Sequence, residues 1–253
     1  MLTNLQIQQY QEDGFVIPDF HLDESTIQSI RDDHTRFVEK FPQFYDYCGA
    51  LLVYDLAFLN YARNDTILNM VEQVLGSNIA LWNSSLFAKP AKVGSKTPWH
   101  QDGEYWPIRP LATCSVWIAV DDSTRANGCL RFIPGSHRSR RLSSHHQNVA
   151  KGLSLPLELD ADQFDETASV DIELEAGQIS MHDVYLMHSS EPNLSNKPRR
   201  GMTLRFMPTT SVYRRDLSSG PSARIDRARS LFLMKGTDVS GENDFRLRLP
   251  GDY

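Results

Sequence analysis

From residue 79 onward, the chain consists of short segments rich in Val, Ile, Thr and aromatic residues, separated by Gly, Pro and Asn. Parallel strands need long, usually helical crossovers, and most of these segments have none between them, which favours antiparallel pairing. The pattern predicts a mainly β fold with flanking helices, whose core is a double-stranded β-helix, that is, a jelly-roll, cupin-like core. We predict strands near residues 79–89, 96–102, 113–120, 129–133, 170–174, 178–183, 184–189 and 201–208.

The first 76 residues have helical rather than strand-like spacing. One predicted helix begins after a cap at Asp23 or Ser25, and its apolar side chains recur every three or four residues. A second begins near residue 64 and ends at Gly76, since glycine readily takes the left-handed conformation that follows a helix end. Each helix therefore has one face to bury.

We expect a single domain over residues 1–253, because no change in composition marks a boundary. Its predicted parts are a helical amino-terminal part (1–76), the jelly-roll core (about 79–210) and a carboxy-terminal extension (211–253). Residues 135–169 are basic at first and acidic later, and they are long for a loop. Long loops on rigid barrels are often lids, which is our expectation for this one.

Charge and hydropathy limit the partners. The sequence has 26 Lys and Arg against 32 Asp and Glu, a formal net charge of −6, so we expect no nucleic-acid partner. The longest apolar stretch, residues 51–62, contains Asp55 and is shorter than the roughly 20 residues of a membrane span, so we expect no membrane association. The oligomeric state is not predicted.

Cysteine use and the chain ends favour a cytoplasmic location. Cys48, Cys114 and Cys129 are scattered without Cys-x-x-Cys spacing, which indicates neither a disulfide framework nor a thiolate zinc site. The amino terminus lacks the basic and apolar regions of a secretory signal, and the chain ends in Gly-Asp-Tyr rather than a peroxisomal tripeptide. We therefore expect a reducing compartment.

His100 and Asp102 are the residues that first suggest chemistry. Two residues apart on a strand, they point to one face and can converge on one metal ion, although such a pair is also common as a plain hydrogen bond. With a second imidazole, they complete the 2-His-1-carboxylate set that leaves positions open on Fe(II). His182 and His188 are the candidates for that imidazole. We favour His188 because of the residues that follow it.

Arg199 follows His188 by eleven residues, across a turn-rich connection that can fold the chain back. A guanidinium beside the metal is suited to hold a carboxylate through two hydrogen bonds, as for the distal carboxylate of 2-oxoglutarate. The alternative for Arg199 is an ordinary solvated turn. The combination of residues, rather than any one of them, indicates a site.

At this point the chain resembles the phytanoyl-CoA dioxygenase family of Fe(II)- and 2-oxoglutarate-dependent oxygenases. The resemblance extends to about residue 210, but Ser189 stands where many relatives have Gly after the distal histidine. Halogenating relatives have Ala or Gly in place of Asp102, so this aspartate argues for oxygen transfer. The matching motifs are residues 10–16 (YQEDGFV), 99–102 (WHQD), 126–137 (ANGCLRFIPGSH) and 188–190 (HSS), with Asn193 and 198–199 (PR).

The resemblance implies a role for individual residues. His100, Asp102 and His188 would bind iron as the catalytic centre, and Arg199, helped by Ser190, would bind the far carboxylate of 2-oxoglutarate. Two further positions, Lys89 and Trp117, match residues that line the cosubstrate pocket in relatives. His137, in the same family motif, is expected to be structural, because a fourth protein ligand would fill a position that the cosubstrate needs.

The substrate pocket is predicted less directly. Tyr105, Trp106 and Arg109 follow Asp102 closely and are our candidates for substrate binding; alternatively, the aromatic residues only pack the mouth of the barrel. Arginines after the last core strand could attract an anionic group, but a solvated helical face is the favoured interpretation. These arginines are Arg214, Arg215, Arg224, Arg227 and Arg229.

The sequence thus predicts a dioxygenase that uses Fe(II), 2-oxoglutarate and O2, with ascorbate as a reductant in vitro. It would hydroxylate an unactivated C–H bond of a small polar or zwitterionic metabolite and release succinate and CO2. Relatives act on diverse compounds, so the family alone does not fix the substrate. The alternatives are a noncatalytic jelly-roll binding module with a vestigial metal site, and a cupin-type isomerase or hydrolase that uses Zn or Mn.

Overall fold

Side-chain caps set the beginnings of the two predicted helices. The carboxylate of Asp23 accepts a hydrogen bond from the Thr26 amide at 2.8 Å, and the side chain of Asn64 accepts one from the Ile67 amide at 3.1 Å. Gly76, with φ of +88°, ends the second helix. Both predictions are confirmed. The computed structural model describes residues 1–218 and 223–248, with helices α1 (Asn4–Asp13), α2 (Glu24–Lys40), α3 (Leu51–Tyr54), α4 (Asp65–Leu75) and α5 (Ala223–Ala228).

Strands make up most of the remaining regular structure in the described part of the chain. They are β1 (Phe15–Val16), β2 (Tyr47–Cys48), β3 (Ile79–Lys89), β4 (Thr97–Gln101), β5 (Ile108–Arg109), β6 (Cys114–Ala119), β7 (Leu130–Phe132), β8 (His145–Gln147), β9 (Leu157–Leu159), β10 (Val170–Ile172), β11 (Ile179–Asp183), β12 (Met187–Ser190), β13 (Arg199–Pro208), β14 (Val212–Tyr213) and β15 (Phe232–Lys235).

The strands form two main antiparallel sheets. The major sheet has the order β1-β11-β6-β13-β3-β15, with β2 also paired to β3, and the minor sheet has the order β10-β7-β12-β4. All of these strand pairs are antiparallel, as expected from the absence of helical crossovers. The predicted jelly-roll core with flanking helices is confirmed.

Alternation along β13 separates the hydrophobic core from the interior of the barrel. Met202, Leu204 and Phe206 are buried in the large apolar cluster that the helices form with the outer face of the major sheet. The residues between them, Thr203 and Arg205, face the interior between the two sheets, as the pleat of a strand requires. One face of this strand holds the fold together, and the other is available for chemistry.

The structure differs from the prediction in three places. The strand predicted at 184–189 begins only at Met187, because Asp183 accepts a hydrogen bond from the Tyr185 amide and turns the chain from the major to the minor sheet. The segment 135–169 contains the hairpin β8–β9. Part of the carboxy-terminal extension joins the major sheet, since β15 pairs with β3.

Candidate metal centre

The structure brings His100, Asp102 and His188 together. His100 lies on β4, and Asp102 begins the single 3-10 turn that directly follows this strand. His188 lies opposite His100 on the neighbouring strand β12, and their ring centroids are 4.1 Å apart. One potential ligand atom from each of the three residues lies within 4.8 Å of the other two. Adjacent strands, rather than one local segment, therefore build the centre.

Each histidine has a ring nitrogen left for a metal. Nδ1 of His100 lies 2.8 Å from the carbonyl oxygen of Pro98, and Nδ1 of His188 lies 2.9 Å from that of Leu186. A protonated Nδ1 that donates to a carbonyl fixes the tautomer and leaves the Nε2 lone pair free. Burial and the neighbouring His100 ring hold the pKa of His188 well below its ordinary value, so the ring is neutral, as a metal ligand must be.

Asp102 is held by three polar neighbours. Ser115 donates a hydrogen bond of 3.3 Å to its Oδ2, Nε2 of His182 lies 3.6 Å from the same oxygen, and Nη2 of Arg205 lies 3.9 Å from Oδ1. Burial alone would raise the pKa of Asp102, but Arg205, His100 and His182 together bring it well below its ordinary value. His182, the alternative distal ligand, thus contacts the carboxylate and lies outside the three-residue cluster.

A second buried positive group, Arg199, lies six residues before Arg205 on the same face of β13. Arg199 is 1% exposed, and its Nη1 donates a hydrogen bond of 3.1 Å to the carbonyl of Phe87. Its Nε has no partner, and no carboxylate in residues 1–218 and 223–248 lies within ion-pair distance of it. Burial lowers the pKa of Arg199 only to about 10, so it stays charged at neutral pH. A buried, charged guanidinium without an acid partner is suited to bind a carboxylate ligand.

The other predicted cosubstrate residues surround Arg199. Lys89 is paired with it across β3 and β13 and donates a hydrogen bond of 3.1 Å to the carbonyl of Ser190, whose side chain is also buried. The Arg199 guanidinium lies 5.4 Å from the centre of the Trp117 ring. A Cβ on Gly201 would lie 2.2 Å from that ring, so glycine is required where the indole lies against β13.

The three predicted substrate residues have different surroundings. Trp106 is buried, and its ring centre lies 5.0 Å from the Arg205 guanidinium. The Tyr105 hydroxyl donates to the carbonyl of Leu157 at 3.1 Å and accepts from its amide at 3.3 Å, which fastens the hairpin β8–β9 beside the centre. Arg109 is exposed and donates to the carbonyl groups of Trp106 and Ile108. Of the three side chains, only that of Trp106 contacts Arg205 beside the centre.

Sequence analysis did not single out Arg205. The signal was the alternation on β13, which puts Arg205 six residues after Arg199 and on the same face. His137, expected to be structural, lies against α1, where its Nε2 is 3.1 Å from the carbonyl oxygen of Gln11. Arg229 was assigned to a solvated face, but its side chain is only 11% exposed and contacts Asn83 on β3.

Most of the chain matches a known protein family. Residues 10–201 match the family profile described as phytanoyl-CoA dioxygenase. The chain belongs to the phytanoyl-CoA dioxygenase family. Relatives include a phytanoyl-CoA dioxygenase domain-containing protein 1 homolog from Dictyostelium discoideum (32% identical over 59% of this chain and 54% of that protein) and the human peroxisomal phytanoyl-CoA dioxygenase (29% identical, 63% and 48%). The chain spans about half the length of these curated relatives.

Solved structures support the fold of this phytanoyl-CoA dioxygenase family member. The apo form of the non-heme monooxygenase ThoJ matches with a TM-score of 0.77 at 25% identity, over 98% of this chain and 89% of that one. The carbocyclase SnoK from nogalamycin biosynthesis matches with a TM-score of 0.75 at 19% identity, over 91% and 96%. The predicted family is confirmed, and these structures have the predicted fold.

The residues of the centre fit the cofactor and cosubstrate of this class. Two imidazoles whose Nδ1 atoms bond backbone carbonyls, and one carboxylate, are the donor set of a facial Fe(II) site. The buried, charged guanidinium of Arg199, whose Nε has no partner, fits a carboxylate of the cosubstrate. The fit is chemical, since a bound carboxylate would supply the hydrogen-bond partner that the buried Nε of Arg199 lacks.

We expect binding of 2-oxoglutarate to be coupled to proton uptake by Lys89. Burial and the charge of Arg199 lower the pKa of Lys89 to about 6, so the amine is mainly neutral at pH 7.5. A dianion beside it favours the charged form and raises that pKa. Proton uptake should therefore occur above pH 6, and the affinity for 2-oxoglutarate should fall as the pH rises from 6 towards the pKa of the complex.

Calorimetry in buffers of different ionisation enthalpy measures this uptake, with anaerobic Fe(II)-loaded protein at pH 7.5. Lys89→Met should abolish the proton uptake and flatten the pH dependence, whereas Lys92→Met, which removes an exposed lysine, should leave both unchanged. Equal proton uptake by the wild type and Lys89→Met would show that another group titrates.

Proposed function

We propose that the protein hydroxylates an unactivated C–H bond of a small polar or zwitterionic metabolite and converts 2-oxoglutarate into succinate and CO2. The metabolite would be an amino acid, compatible solute, phosphonate or natural-product intermediate. The observation that carries this proposal is the buried cluster of His100, Asp102 and His188 in the same interior as the unpartnered guanidinium of Arg199.

The position of each side chain in the interior indicates whether it would bind the metal or the cosubstrate. Nε2 of His100, Nε2 of His188 and the Asp102 carboxylate would hold one face of the ion and leave the other for small molecules. Arg199 would bind the distal carboxylate of 2-oxoglutarate, with Lys89 beside it. When bound, Fe(II) and 2-oxoglutarate supply the oxidising chemistry with O2, while the protein positions the reactants and excludes water. Exclusion of water is supported by the burial of the triad, since His100, Asp102 and His188 are 2%, 4% and 5% exposed.

The lining of the interior supports a polar substrate. Ser85, Ser115, Thr203 and Arg205 all lie on the inner faces of the major sheet, where an aliphatic substrate would be expected to meet apolar side chains. Relatives differ in the substrate that their names state. One from Stutzerimonas stutzeri, 28% identical over 57% of this chain and 50% of that protein, is named a probable alpha-ketoglutarate-dependent hypophosphite dioxygenase.

Two further proposals concern organisation and location. We propose that the helices, both sheets and the carboxy-terminal segment form one catalytic domain, which is supported by the pairing of β15 with β3. We also propose that the protein acts in the cytoplasm, where its three free, buried cysteines would stay reduced. In the described residues, every helix is too short or too polar to cross a bilayer.

The function is tested by screening polar metabolites for those that stimulate succinate formation. Purified protein is supplied with Fe(II), ascorbate, 2-oxoglutarate and O2, and the hydroxylated product is identified by mass spectrometry. We expect slow succinate release without substrate and at least about tenfold faster release with the correct metabolite. Coupled turnover only with long-chain acyl substrates would contradict the proposed substrate class. Folded protein that forms no succinate would favour a binding module or a Zn or Mn enzyme.

A further inference from the structure

Arg205 is a second buried guanidinium, six residues after Arg199 on the same face of β13. The residue is 6% exposed, its Nη1 donates to the hydroxyl of Ser85, and its Nε has no partner. Its Nη2 lies 3.9 Å from Oδ1 of Asp102, which is too long for a hydrogen bond. Arg205 therefore has hydrogen-bonding capacity that the described residues do not use.

The position of this guanidinium relates it directly to the metal. Oδ1 of Asp102 is the oxygen that lies 3.7 Å from Nε2 of His100, so it faces the metal position, and Arg205 approaches this same oxygen. Trp106 and Phe87 flank the guanidinium, with ring centres 5.0 Å and 6.0 Å from its carbon. The rings limit the directions from which a ligand can reach Arg205.

The charges of the interior leave Arg205 without a counter-ion of its own, because its nearest carboxylate, Asp102, would also bind the metal. The positive charge of Arg199 would be neutralised by the distal carboxylate of 2-oxoglutarate. The two positive charges of Fe(II) would be neutralised by the negative charges of Asp102 and of the keto-acid carboxylate of the cosubstrate. The nearby Arg229 is already paired with Asp226 at 3.3 Å. Arg205 therefore has no carboxylate to itself although its side chain is almost completely buried, and buried charges are normally paired.

We propose that Arg205 binds a carboxylate of the substrate and thereby makes this site specific for monoanionic or zwitterionic acids. This inference rests on the proposed function and narrows it. The unpartnered Nε and the Nη2 group provide two donors on one planar fork, the geometry that a carboxylate accepts. Because the fork approaches the metal-facing oxygen of Asp102, the oxidised carbon is close to the carboxylate, within a few bonds.

The test compares acids with their uncharged amides. Anaerobic protein with Fe(II) and 2-oxoglutarate is titrated with free amino acids, betaines and hydroxy acids and, where one exists, with the corresponding primary amide. Perturbation of the visible charge-transfer band reports binding without turnover. We expect the best acid to bind about 100-fold more tightly than its amide, because a buried charge pair is lost in the amide.

The variants separate ligand binding from support of Asp102. Arg205→Met should reduce the acid-to-amide preference to about threefold or less, and Arg205→Lys should restore part of it. The matched control is Arg200→Met, because Arg200 lies on the same strand but pairs with Asp121 at 2.7 Å on the outer side. A residue that only positions Asp102 would weaken acid and amide equally.

Several results would overturn this assignment. They are an amide that binds as tightly as its acid, an unchanged preference in Arg205→Met, and no binding by any acid of the panel. The comparison of acid and amide affinities in the wild-type protein tests the proposal even where a variant does not fold. Coupled turnover of an uncharged sugar or polyol would also refute the role of Arg205, but it would leave hydroxylation of a small polar metabolite intact. Turnover restricted to long-chain acyl substrates would instead contradict the proposed function itself.

Discussion

Replacing Asp102 by alanine is expected to lower the affinity for Fe(II) by more than about 100-fold and to abolish succinate formation. Changes to groups that only support a metal ligand typically cost about 10- to 100-fold, so loss of a ligand itself should cost more. Asp102 supplies the only carboxylate of the cluster, and without it two imidazoles remain beside the positive charge of Arg205. Anaerobic calorimetry with Fe(II) measures the affinity.

Two variants make this experiment specific. Asp102→Asn keeps the shape of the side chain and removes its charge, so it should lose metal nearly as completely as Asp102→Ala. Glu104→Ala removes an exposed carboxylate from the same 3-10 turn and should bind Fe(II) normally. Full metal binding and full turnover in Asp102→Ala would refute the ligand assignment.

Replacing Arg199 by methionine is expected to weaken 2-oxoglutarate binding by about 100-fold or more. Truncating one partner of a buried, hydrogen-bonded charge pair typically costs about 2–5 kcal/mol, which corresponds to roughly 30-fold to several thousand-fold in affinity. Arg199 is buried, stays charged and has no acid partner among the described residues, so the ligand itself would supply the missing counter-ion. Methionine keeps much of the side-chain volume beside Trp117.

Titration of the anaerobic Fe(II) protein with 2-oxoglutarate measures this loss. Arg200→Met is again the control, since the neighbouring arginine pairs with Asp121 on the outer side of the strand and should not affect cosubstrate binding. Fe(II) affinity without cosubstrate should be the same in Arg199→Met and the wild type. An unchanged affinity for 2-oxoglutarate in Arg199→Met would place the carboxylate site elsewhere.

Sequence patterns that span only a few residues predicted the two helices and the jelly-roll strands. The caps at Asp23 and Asn64 and the stop at Gly76 act through hydrogen bonds within a few residues, so the pattern of the chain is sufficient to find them. The alternating strands and the lack of crossovers predicted the jelly roll for the same reason. The pairing of His100 with His188 joins residues 88 positions apart, and it was predicted from the residues that follow His188 and from the resemblance of the flanking motifs to a family.

Long-range contacts account for what sequence analysis missed. The addition of β15 to the edge of the major sheet depends on pairing with β3, which no local pattern indicates. The alternation on β13 was available, but it became meaningful only once Asp102 was seen to lie beside Arg205. The hydroxyl of Tyr105 bonds both backbone groups of Leu157, a contact over 52 positions that no local pattern indicates, while its role at the substrate stays a prediction.

The contact between Tyr105 and Leu157 has a mechanical consequence. Asp102 and Tyr105 are the first and last residues of one short turn, so the hairpin β8–β9 is fastened to the same rigid piece of backbone that presents the metal carboxylate. Movement of the hairpin away from the barrel would therefore displace the turn that carries Asp102 and weaken metal binding. An engineer who exchanges this hairpin to widen the range of compounds accepted would also alter iron retention, unless the tyrosine and its backbone partner are transplanted together.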